Sequence, residues 1–287
     1  MKIEVMLCIK ELPRFLKTAR SYRNIYWSAK IDGLRCWNII DKGKVRYFSR
    51  NGLEYKNFGV FDEDNLKIYE NLKNQFGLRD PVILDSEITT SDKKFRRVMT
   101  QAHRIRNVDT SMLESYIFDV ALSNKPYIVR YRLLERTIDQ NELKKVFLLR
   151  HYPLNAKNEI EIKRLMMKMV RNGFEGIVLN TMDGPYEFGK RSVHCCKVKP
   201  IETIDVKVVG VEYGTGRNAG RLGALICEYE GGRVKVGSGY NDKEREEFIK
   251  NPPKVIEIQF KEKTPGGSLR EPVFIRVRDD KNINGLS

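Results

Sequence analysis

Residues 25–49 combine a strand, a tight connection and a hairpin, and they constrain the fold more than any other stretch. Apolar residues from position 25 lead to Lys30, a second apolar run covers residues 34–40, and the polar turn at 41–44 starts a third strand. Short runs of this kind, bounded by glycine and charged residues, are typical of β-strands. Lys30 is therefore predicted to lie at the end of a strand, which holds its amine in place.

The segment from Lys30 to Arg35 reads Lys-x-Asp-Gly-x-Arg and places Asp32 and Arg35, one charge of each sign, beside the amine. An unperturbed lysine has a pKa of about 10.4 and is mostly protonated at neutral pH. Nearby cations or a metal lower that pKa and free the lone pair for a covalent bond. Lys197 and Lys199 are further candidate cations. An ordinary exposed lysine in a polar turn remains the alternative at this point.

The charge balance points to a polyanionic partner. Lysine and arginine outnumber aspartate and glutamate by 53 to 38, a net charge of +15, and nucleic acid is the first candidate for such a surface. No stretch is long and apolar enough to span a membrane. The five cysteines have no Cys-x-x-Cys spacing, so we expect reduced, packed thiols in a cytoplasmic protein. They are Cys8, Cys36, Cys195, Cys196 and Cys227.

The order of strand and helix patterns divides the chain near residue 202. Before it, helices are predicted at 62–76, 92–105, 131–146 and 158–172, and further strands at 81–88, 116–120, 173–179 and 194–199. This mixture predicts an α+β architecture. After it, five strands (206–211, 224–229, 233–236, 255–260 and 273–277) and one helix (242–250) predict a small Greek-key barrel of the oligonucleotide-binding (OB) kind. We therefore predict two domains, 1–202 and 203–287.

Several charged and aromatic side chains lie where the predicted strands place them together. Glu87 and Glu175 are carboxylates at strand ends, suited to a sugar hydroxyl or to Mg²⁺. Phe118 lies on a strand and is suited to stacking on a base, although strand phenylalanines are usually core residues. Lys197 and Lys199 alternate on one strand face and would neutralise charge that develops on a phosphate.

Six segments occur in a recognisable order along nearly the whole chain. They are residues 30–35 (KIDGLR), 84–87 (LDSE), 116–119 (YIFD), 174–178 (FEGIV), 197–199 (KVK) and 272–281 (PVFIRVRDDK). Together they resemble the motif series of the covalent nucleotidyltransferases, which comprise ATP-dependent DNA ligases, RNA ligases and messenger RNA capping enzymes. The last segment, with residues 223–225 and 236–240 in the barrel, resembles the DNA ligases in particular.

The resemblance implies an ATP-dependent DNA ligase of a minimal two-domain type. An adenylation (nucleotidyltransferase) domain with mixed antiparallel sheets and helices would precede the OB-fold domain. Lys30 would attack the α-phosphate of ATP and release pyrophosphate, the AMP would pass to the 5′-phosphate at a nick, and the 3′-hydroxyl would displace it. ATP and Mg²⁺ are the implied cofactors, and nicked double-stranded DNA is the implied partner of a monomer whose domains open and close about residues 200–203.

The resemblance also implies individual roles. Glu87 would hold the ribose, Phe118 would stack on adenine, and Glu175, together with Glu87, would bind the metal. Lys197 and Lys199 would contact the α-phosphate. The remaining implied site residues are Asp32, which would position the amine or the 3′ end; Arg35 and Arg50, which would hold phosphates at the nick; and Arg278, Asp280 and Lys281, which would close over ATP.

The DNA-binding surface is expected to be basic, and one position departs from the family pattern. The candidate residues are Arg96, Arg97, Arg217 and Arg221, together with Lys93, Lys94, Arg104 and Arg106. Many ligases carry glutamate two residues before the nucleophile, where it helps to read adenine. This chain has Ser28 there, so we expect Ser28 and the backbone of Ala29 to contribute to the preference for ATP over GTP.

Two alternatives remain open from the sequence. An RNA ligase or a capping enzyme would share the chemistry of Lys30. A protein of a different class, which binds nucleic acid without catalysis, would retain the basic surface but would have no use for the charged residues that surround Lys30.

Overall fold

The computed structural model describes residues 3–21, 25–92, 95–104, 108–138, 142–155, 158–200, 202–260, 262–263 and 268–280. Lys93, Lys94, Arg106 and Lys281 lie outside these ranges. The chain divides into two compact units, Met1–Pro200 and Ile201–Ser287. The second unit opens with a strand that starts at Glu202, so the predicted boundary at 202/203 falls inside that strand.

The first unit contains ten strands and five α-helices within the described residues. They are β1 (Leu7–Ile9), α1 (Leu12–Ala19), β2 (Ile25–Lys30), β3 (Leu34–Asp41), β4 (Lys44–Ser49), α2 (Asp62–Phe76), β5 (Val82–Thr90), α3 (Phe95–His103), β6 (Leu113–Val120), α4 (Tyr127–Thr137), β7 (Val146–Leu148), β8 (His151–Leu154), α5 (Glu159–Arg171), β9 (Gly176–Thr181) and β10 (Arg191–Val198). They form two five-stranded sheets: sheet A has the order β1-β10-β9-β2-β8 and sheet B the order β4-β3-β5-β6-β7. The mixture confirms the α+β prediction.

The alternation of side chains along β2 gives its two faces different surroundings. Ile25 and Trp27 pack in the core that α1 and α5 share with sheet A. Tyr26 faces the other way, packs against the core of sheet B, and has its ring centroid 6.2 Å from that of Tyr127 on α4. Because successive strand residues alternate, Lys30 lies on the same face as Tyr26. That face looks towards α4 and sheet B.

The predicted helix at 131–146 is wrong in its placement. The structure has α4 at Tyr127–Thr137, followed by β7, which pairs in parallel with β6 at the edge of sheet B. Pro126 stands at the N-cap of α4 and fixes where the helix starts. The Val-Phe-Leu sequence of β7 favours a strand, but only the tertiary pairing with β6 decides it.

The expectation that all five cysteines are reduced is also wrong. Cys8 on β1 and Cys195 on β10 form a disulfide, with their Cα atoms 4.6 Å apart. The two strands run in parallel side by side, a pairing that the spacing of cysteines in the sequence cannot reveal. The other three, Cys36, Cys196 and Cys227, are free and buried, as expected.

The second unit is built around one five-stranded antiparallel sheet. Its elements are β11 (Glu202–Tyr213), β12 (Leu222–Tyr229), β13 (Gly232–Val236), α6 (Asp242–Phe248), β14 (Val255–Phe260), β15 (Glu262–Lys263), β16 (Leu269–Arg270) and β17 (Val273–Val277). The sheet order is β13-β12-β11-β14-β17. The five predicted strands and the predicted helix are all present. No helix in the described part of the chain has the length and apolar character that crossing a membrane requires.

Candidate active site

Lys30 shares one carboxylate with a second lysine. Its Nζ donates a hydrogen bond to Oε2 of Glu175 at 2.5 Å, and Oε1 of Glu175 accepts one from Nζ of Lys199 at 3.2 Å. The backbone N–H of Glu175 also donates to the carbonyl of Lys30 at 2.9 Å. Gly176, opposite Lys30 in the sheet, has φ +153°, and a Cβ there would lie 2.2 Å from the carbonyl oxygen of Val198. Glycine is therefore required where β9 approaches the chain that carries Lys199.

The amines around Glu175 shape its electrostatics. Burial works to raise the pKa of Glu175, but Lys30 and Lys199 outweigh it and hold that pKa below its usual value. Burial, followed by Lys30 and Lys10, lowers the pKa of Lys197 to about 8. Two lysines therefore bond to one carboxylate, and the charge of Lys197 interacts with both of them. Such a cluster of positive charge attracts phosphate. The predicted strand at 194–199 starts three residues too late and ends one residue too late, because β10 runs Arg191–Val198 and Lys199 follows it.

A buried network holds Arg35. Its Nε and Nη2 donate to Oδ1 and Oδ2 of Asp85 at 2.9 and 2.6 Å. The Tyr186 hydroxyl donates to Oδ2 of Asp85 at 2.6 Å and accepts from Nε1 of Trp37 at 3.1 Å. Burial opposes the charge of Arg35, but Asp85 outweighs it and raises the pKa of Arg35. Sequence reasoning gave no role to Asp85 or Tyr186; the only signal was the position of Asp85 two residues before Glu87.

Glu87 and Phe118 flank Arg35 on sheet B. Glu87 is opposite Arg35 where β3 pairs with β5. Burial raises the pKa of Glu87 to about 7, against the pull of Lys30 and Arg35. The guanidinium of Arg35 lies 5.4 Å from the ring centroid of Phe118. The structure thus brings Glu87, Phe118 and Arg35 together on sheet B, with Lys30 of sheet A close enough to act on Glu87.

Ser28 is buried on the Lys30 face of β2, and Ala29 lies between the two. Asp32 is exposed, and its backbone oxygen accepts a hydrogen bond from the Thr89 hydroxyl at 3.2 Å. The remaining predicted arginines of this unit, Arg50, Arg96, Arg97 and Arg104, are exposed, and Arg97 pairs with Asp92 at 2.6 Å.

In the second unit the three predicted arginines are paired with carboxylates. Arg278 bonds to Asp205 at 2.8 Å and to Asp280 at 2.8 Å. Arg217 and Arg221 lie 3.5 and 3.8 Å from Asp242. Arg221 also pairs with Glu246 of α6 at 2.8 Å. The arginines are thus held in defined positions by acidic neighbours.

The residues fit a magnesium ion that arrives with a phosphate. No group of three or more metal-ligating side chains occurs within the described ranges. Mg²⁺, however, is commonly held by one or two carboxylates plus substrate phosphates and waters. Glu175 and Glu87 supply two carboxylates next to the lysine cluster.

Family models match both units. A model described as ATP dependent DNA ligase domain matches residues 7–199, and one described as DNA ligase OB-like domain matches residues 213–278. The chain belongs to the ATP-dependent DNA ligase family. The resemblance and the order of an adenylation domain followed by an OB domain are thereby confirmed.

Several curated relatives in this ligase family are similar over much of the chain. A DNA ligase of Archaeoglobus fulgidus is 28% identical over 332 residues, covering 99% of this chain and 58% of the relative. A DNA ligase of African swine fever virus is 31% identical over 195 residues, covering 65% and 44%. The chain spans about half the length of the curated relatives it matches.

Solved structures agree with the ligase fold. The structure named Pmar-Lig_PreS3 is 28% identical with a TM-score of 0.77, and the alignment covers 96% of this chain and 68% of that one. A structure of a Lig E DNA ligase has a TM-score of 0.72 at 20% identity and covers 97% of this chain and 100% of that one. At that identity the second likeness concerns the fold alone.

Proposed function

We propose that this chain seals nicks in double-stranded DNA with ATP, through a lysyl-AMP intermediate on Lys30. The observation that carries the proposal is the amine of Lys30 at a strand end, bonded to Glu175 and surrounded by Lys197 and Lys199. Membership of the ATP-dependent ligase family supports ATP as the nucleotide. A nucleophilic amine among fixed cations suits attack on a phosphate, because the cations stabilise the charge that develops there.

In the first step Nζ of Lys30, after losing its proton, attacks the α-phosphorus of ATP, and pyrophosphate leaves. Glu175 orients the amine through its hydrogen bond, while Lys197 and Lys199 neutralise the α-phosphate. In the second step an oxygen of the 5′-phosphate at the nick attacks the same phosphorus, and the Lys30 amine leaves. In the third step the 3′-hydroxyl attacks the 5′-phosphorus, and AMP leaves.

The other residues of the first unit bind and orient. Glu87 holds the ribose, Phe118 stacks on adenine, Arg35 and Arg50 hold nick phosphates, and Asp32 positions the amine or the 3′ end. Mg²⁺, held by Glu175 and Glu87 with the phosphates, would supply further charge neutralisation.

The second unit is proposed to act on both ATP and DNA. Arg278, Asp280 and Lys281 orient the departing pyrophosphate. This role is based on their positions in residues 272–281, the segment that resembles the last motif of the DNA ligases. Arg217 and Arg221, with Arg96 and Arg97 of the first unit, bind the DNA backbone. The two units are further proposed to open and close between steps about residues 200–203.

The experiment that tests the proposal compares two nicked substrates. Protein labelled with α-labelled ATP and Mg²⁺ is chased with nicked duplex DNA or with nicked duplex RNA of the same sequence. We expect the label to pass to the DNA 5′-phosphate and the nick to be sealed, with little transfer to RNA. Equal sealing of RNA would favour an RNA ligase, and DNA binding without any transfer would favour a non-catalytic protein. Equal labelling by GTP would contradict the assignment to ATP.

A further inference from the structure

Two buried polar atoms without hydrogen-bond partners lie on neighbouring strands beside Lys30. Oγ of Ser28 and Nε2 of His151 are two of three such side-chain atoms in the described part of the chain; the third is Oγ of Ser115 on β6. Leaving a buried donor or acceptor unpaired is unfavourable, so each such group calls for an explanation. Two of them close together are best explained by a ligand that pairs with both.

The strand register places these two groups opposite one another. Ser28 on β2 is the direct partner of His151 on β8. Direct partners point to the same face with Cβ atoms about 4.5–5.5 Å apart. Lys30 lies two residues further along β2, about 6.6 Å away on the same face. The register continues through Val178 to Lys197, so Ser28 and His151 extend the face that carries the reactive amines.

The packing around His151 fixes its ring. The ring stacks on Tyr131, with centroids 4.7 Å apart and planes at 17°, and its Nδ1 bonds to the Tyr127 hydroxyl. The backbone N–H of His151 donates to the Tyr131 hydroxyl at 3.0 Å. Burial lowers the pKa of His151 to about 3, so the ring is neutral at pH 7. When the Tyr127 hydroxyl donates to Nδ1, the ring proton lies on Nε2 and makes it a donor.

We propose that His151 is a further residue that determines nucleotide specificity: its Nε2–H donates to N1 of adenine. It would act beside Ser28, the position already expected to contact adenine, whose Oγ would accept from the 6-amino group. This inference rests on the proposed function, since it assigns the base-binding part of the same site. In ATP the ribose lies between the base and the α-phosphate. In the same way, the two-residue spacing along β2 separates Ser28, next to the base, from Lys30, next to the α-phosphate. Guanine presents an N–H at position 1, which would face the N–H of His151 and leave both donors unpaired.

The test measures single-turnover adenylation of Lys30 with three nucleotides. They are ATP, 1-deaza-ATP, which lacks N1, and purine riboside triphosphate, which lacks the 6-amino group. We expect the wild-type protein to react about ten- to hundredfold more slowly with each analogue. His151→Phe should lose the dependence on N1 and keep the dependence on the amino group. Ser28→Ala should show the reverse.

Two further variants keep the test decisive. Tyr127→Phe leaves the His151 ring in place but removes the hydroxyl that keeps the ring proton on Nε2. This variant should weaken the dependence on N1, and it provides the test even if His151→Phe does not fold. Tyr152→Phe, at an exposed position next to His151, should keep both dependences. The inference is overturned if the wild-type protein accepts 1-deaza-ATP as readily as ATP, or if the His151 and Tyr127 variants keep the full difference. Absence of adenylation with any nucleotide would instead overturn the proposed function.

Discussion

At the residue scale, a single carboxylate governs the charge of the site. Glu175 accepts hydrogen bonds from both Lys30 and Lys199, and these two amines hold its pKa low. Because the carboxylate stays ionised, it fixes the position of the Lys30 amine in the absence of nucleotide. The phosphates of a bound nucleotide would supply the further negative charge that balances the three closely placed lysines, Lys30, Lys197 and Lys199.

Tyr186 is predicted to position Arg35. Tyr186→Phe keeps the ring but removes the hydroxyl that donates to the fully buried Asp85, a hydrogen bond to a charged group worth about 1.5–3 kcal/mol. The guanidinium of Arg35 then loses part of its support. We expect pre-adenylated protein to seal nicks about tenfold more slowly, while adenylation of Lys30 stays close to wild type.

Rapid-quench kinetics of the two steps would measure these rates separately. Tyr213→Phe, at an exposed tyrosine of the second unit, is the matched control and should leave both rates unchanged. Sealing at the wild-type rate in the Tyr186 variant would show that Arg35 does not depend on this hydroxyl.

Glu87 is predicted to make stability depend on pH. Its pKa is raised from about 4.5 to about 7 by burial, so the folded protein holds its proton more tightly than the unfolded chain. The contribution of this group to the free energy of unfolding is therefore fully present below about pH 4.5 and is lost as the pH rises through about 7. Glu87→Gln should remove this part of the pH dependence.

Urea denaturation at a series of pH values between 4.5 and 8 would measure the effect on the free energy of unfolding. Glu135→Gln, at an exposed position on α4, controls for the loss of a carboxylate elsewhere. Parallel pH profiles for the wild type and Glu87→Gln would contradict a raised pKa at this position.

At the element scale, strands and helices with strong local signals could be predicted from the sequence. Helix α2 runs Asp62–Phe76 as predicted, with three acidic residues in its first turn and Gly77 in the left-handed conformation at its C-cap. Those features stabilise helix ends locally. The three-residue strands β1 and β7 carry no comparable signal, because only their parallel neighbours β10 and β6 define them.

The same distinction applies to the candidate site. Lys30 and Glu175 could be placed because each adjoins the end of a strand with a recognisable pattern. Glu87 is predicted at a strand end, but it lies inside β5, which continues to Thr90. Tyr186 and His151 could not be placed, because their roles come from partners far away in the chain. Tyr186 meets Asp85 across 101 positions, and His151 meets Ser28 only through the pairing of β8 with β2.

The segment that leads into β12 is predicted to bind DNA through Arg217 and Arg221. Both arginines are oriented by acidic residues of α6, and their replacement by glutamate would also repel those residues. We expect the double variant to bind nicked DNA more weakly. The slope of log K against log salt should become shallower by about 0.9 for each phosphate that the variant no longer neutralises.

Salt titrations of binding would measure that slope. Arg132→Glu with Arg136→Glu, two exposed arginines of α4, changes the net charge equally at another surface and should leave the slope near wild type. Equal weakening in both double variants would indicate a general charge effect. It would contradict the proposal that Arg217 and Arg221 contact the DNA backbone.

At the scale of the whole molecule, a net charge of +15 and two compact units suit the proposed reaction, in which the chain would hold a polyanion and change its contacts between steps. In the proposed reaction this charge would raise the rate of encounter with DNA. Lys30 as the proposed nucleophile, Glu175 and the residues proposed to bind adenine all belong to the first unit. Every later step of the proposed reaction therefore depends on a covalent bond made within that unit.

The central claim is tested most directly by mass spectrometry of protein incubated with ATP and Mg²⁺. We predict that the peptide containing Lys30 gains the mass of one AMP, that unlabelled DNA with a nick removes it, and that Lys30→Ala shows no adduct. Lys17→Ala, at an exposed lysine of α1, should be modified like the wild type. An unmodified Lys30, or an adduct on another residue that persists in Lys30→Ala, would contradict the account.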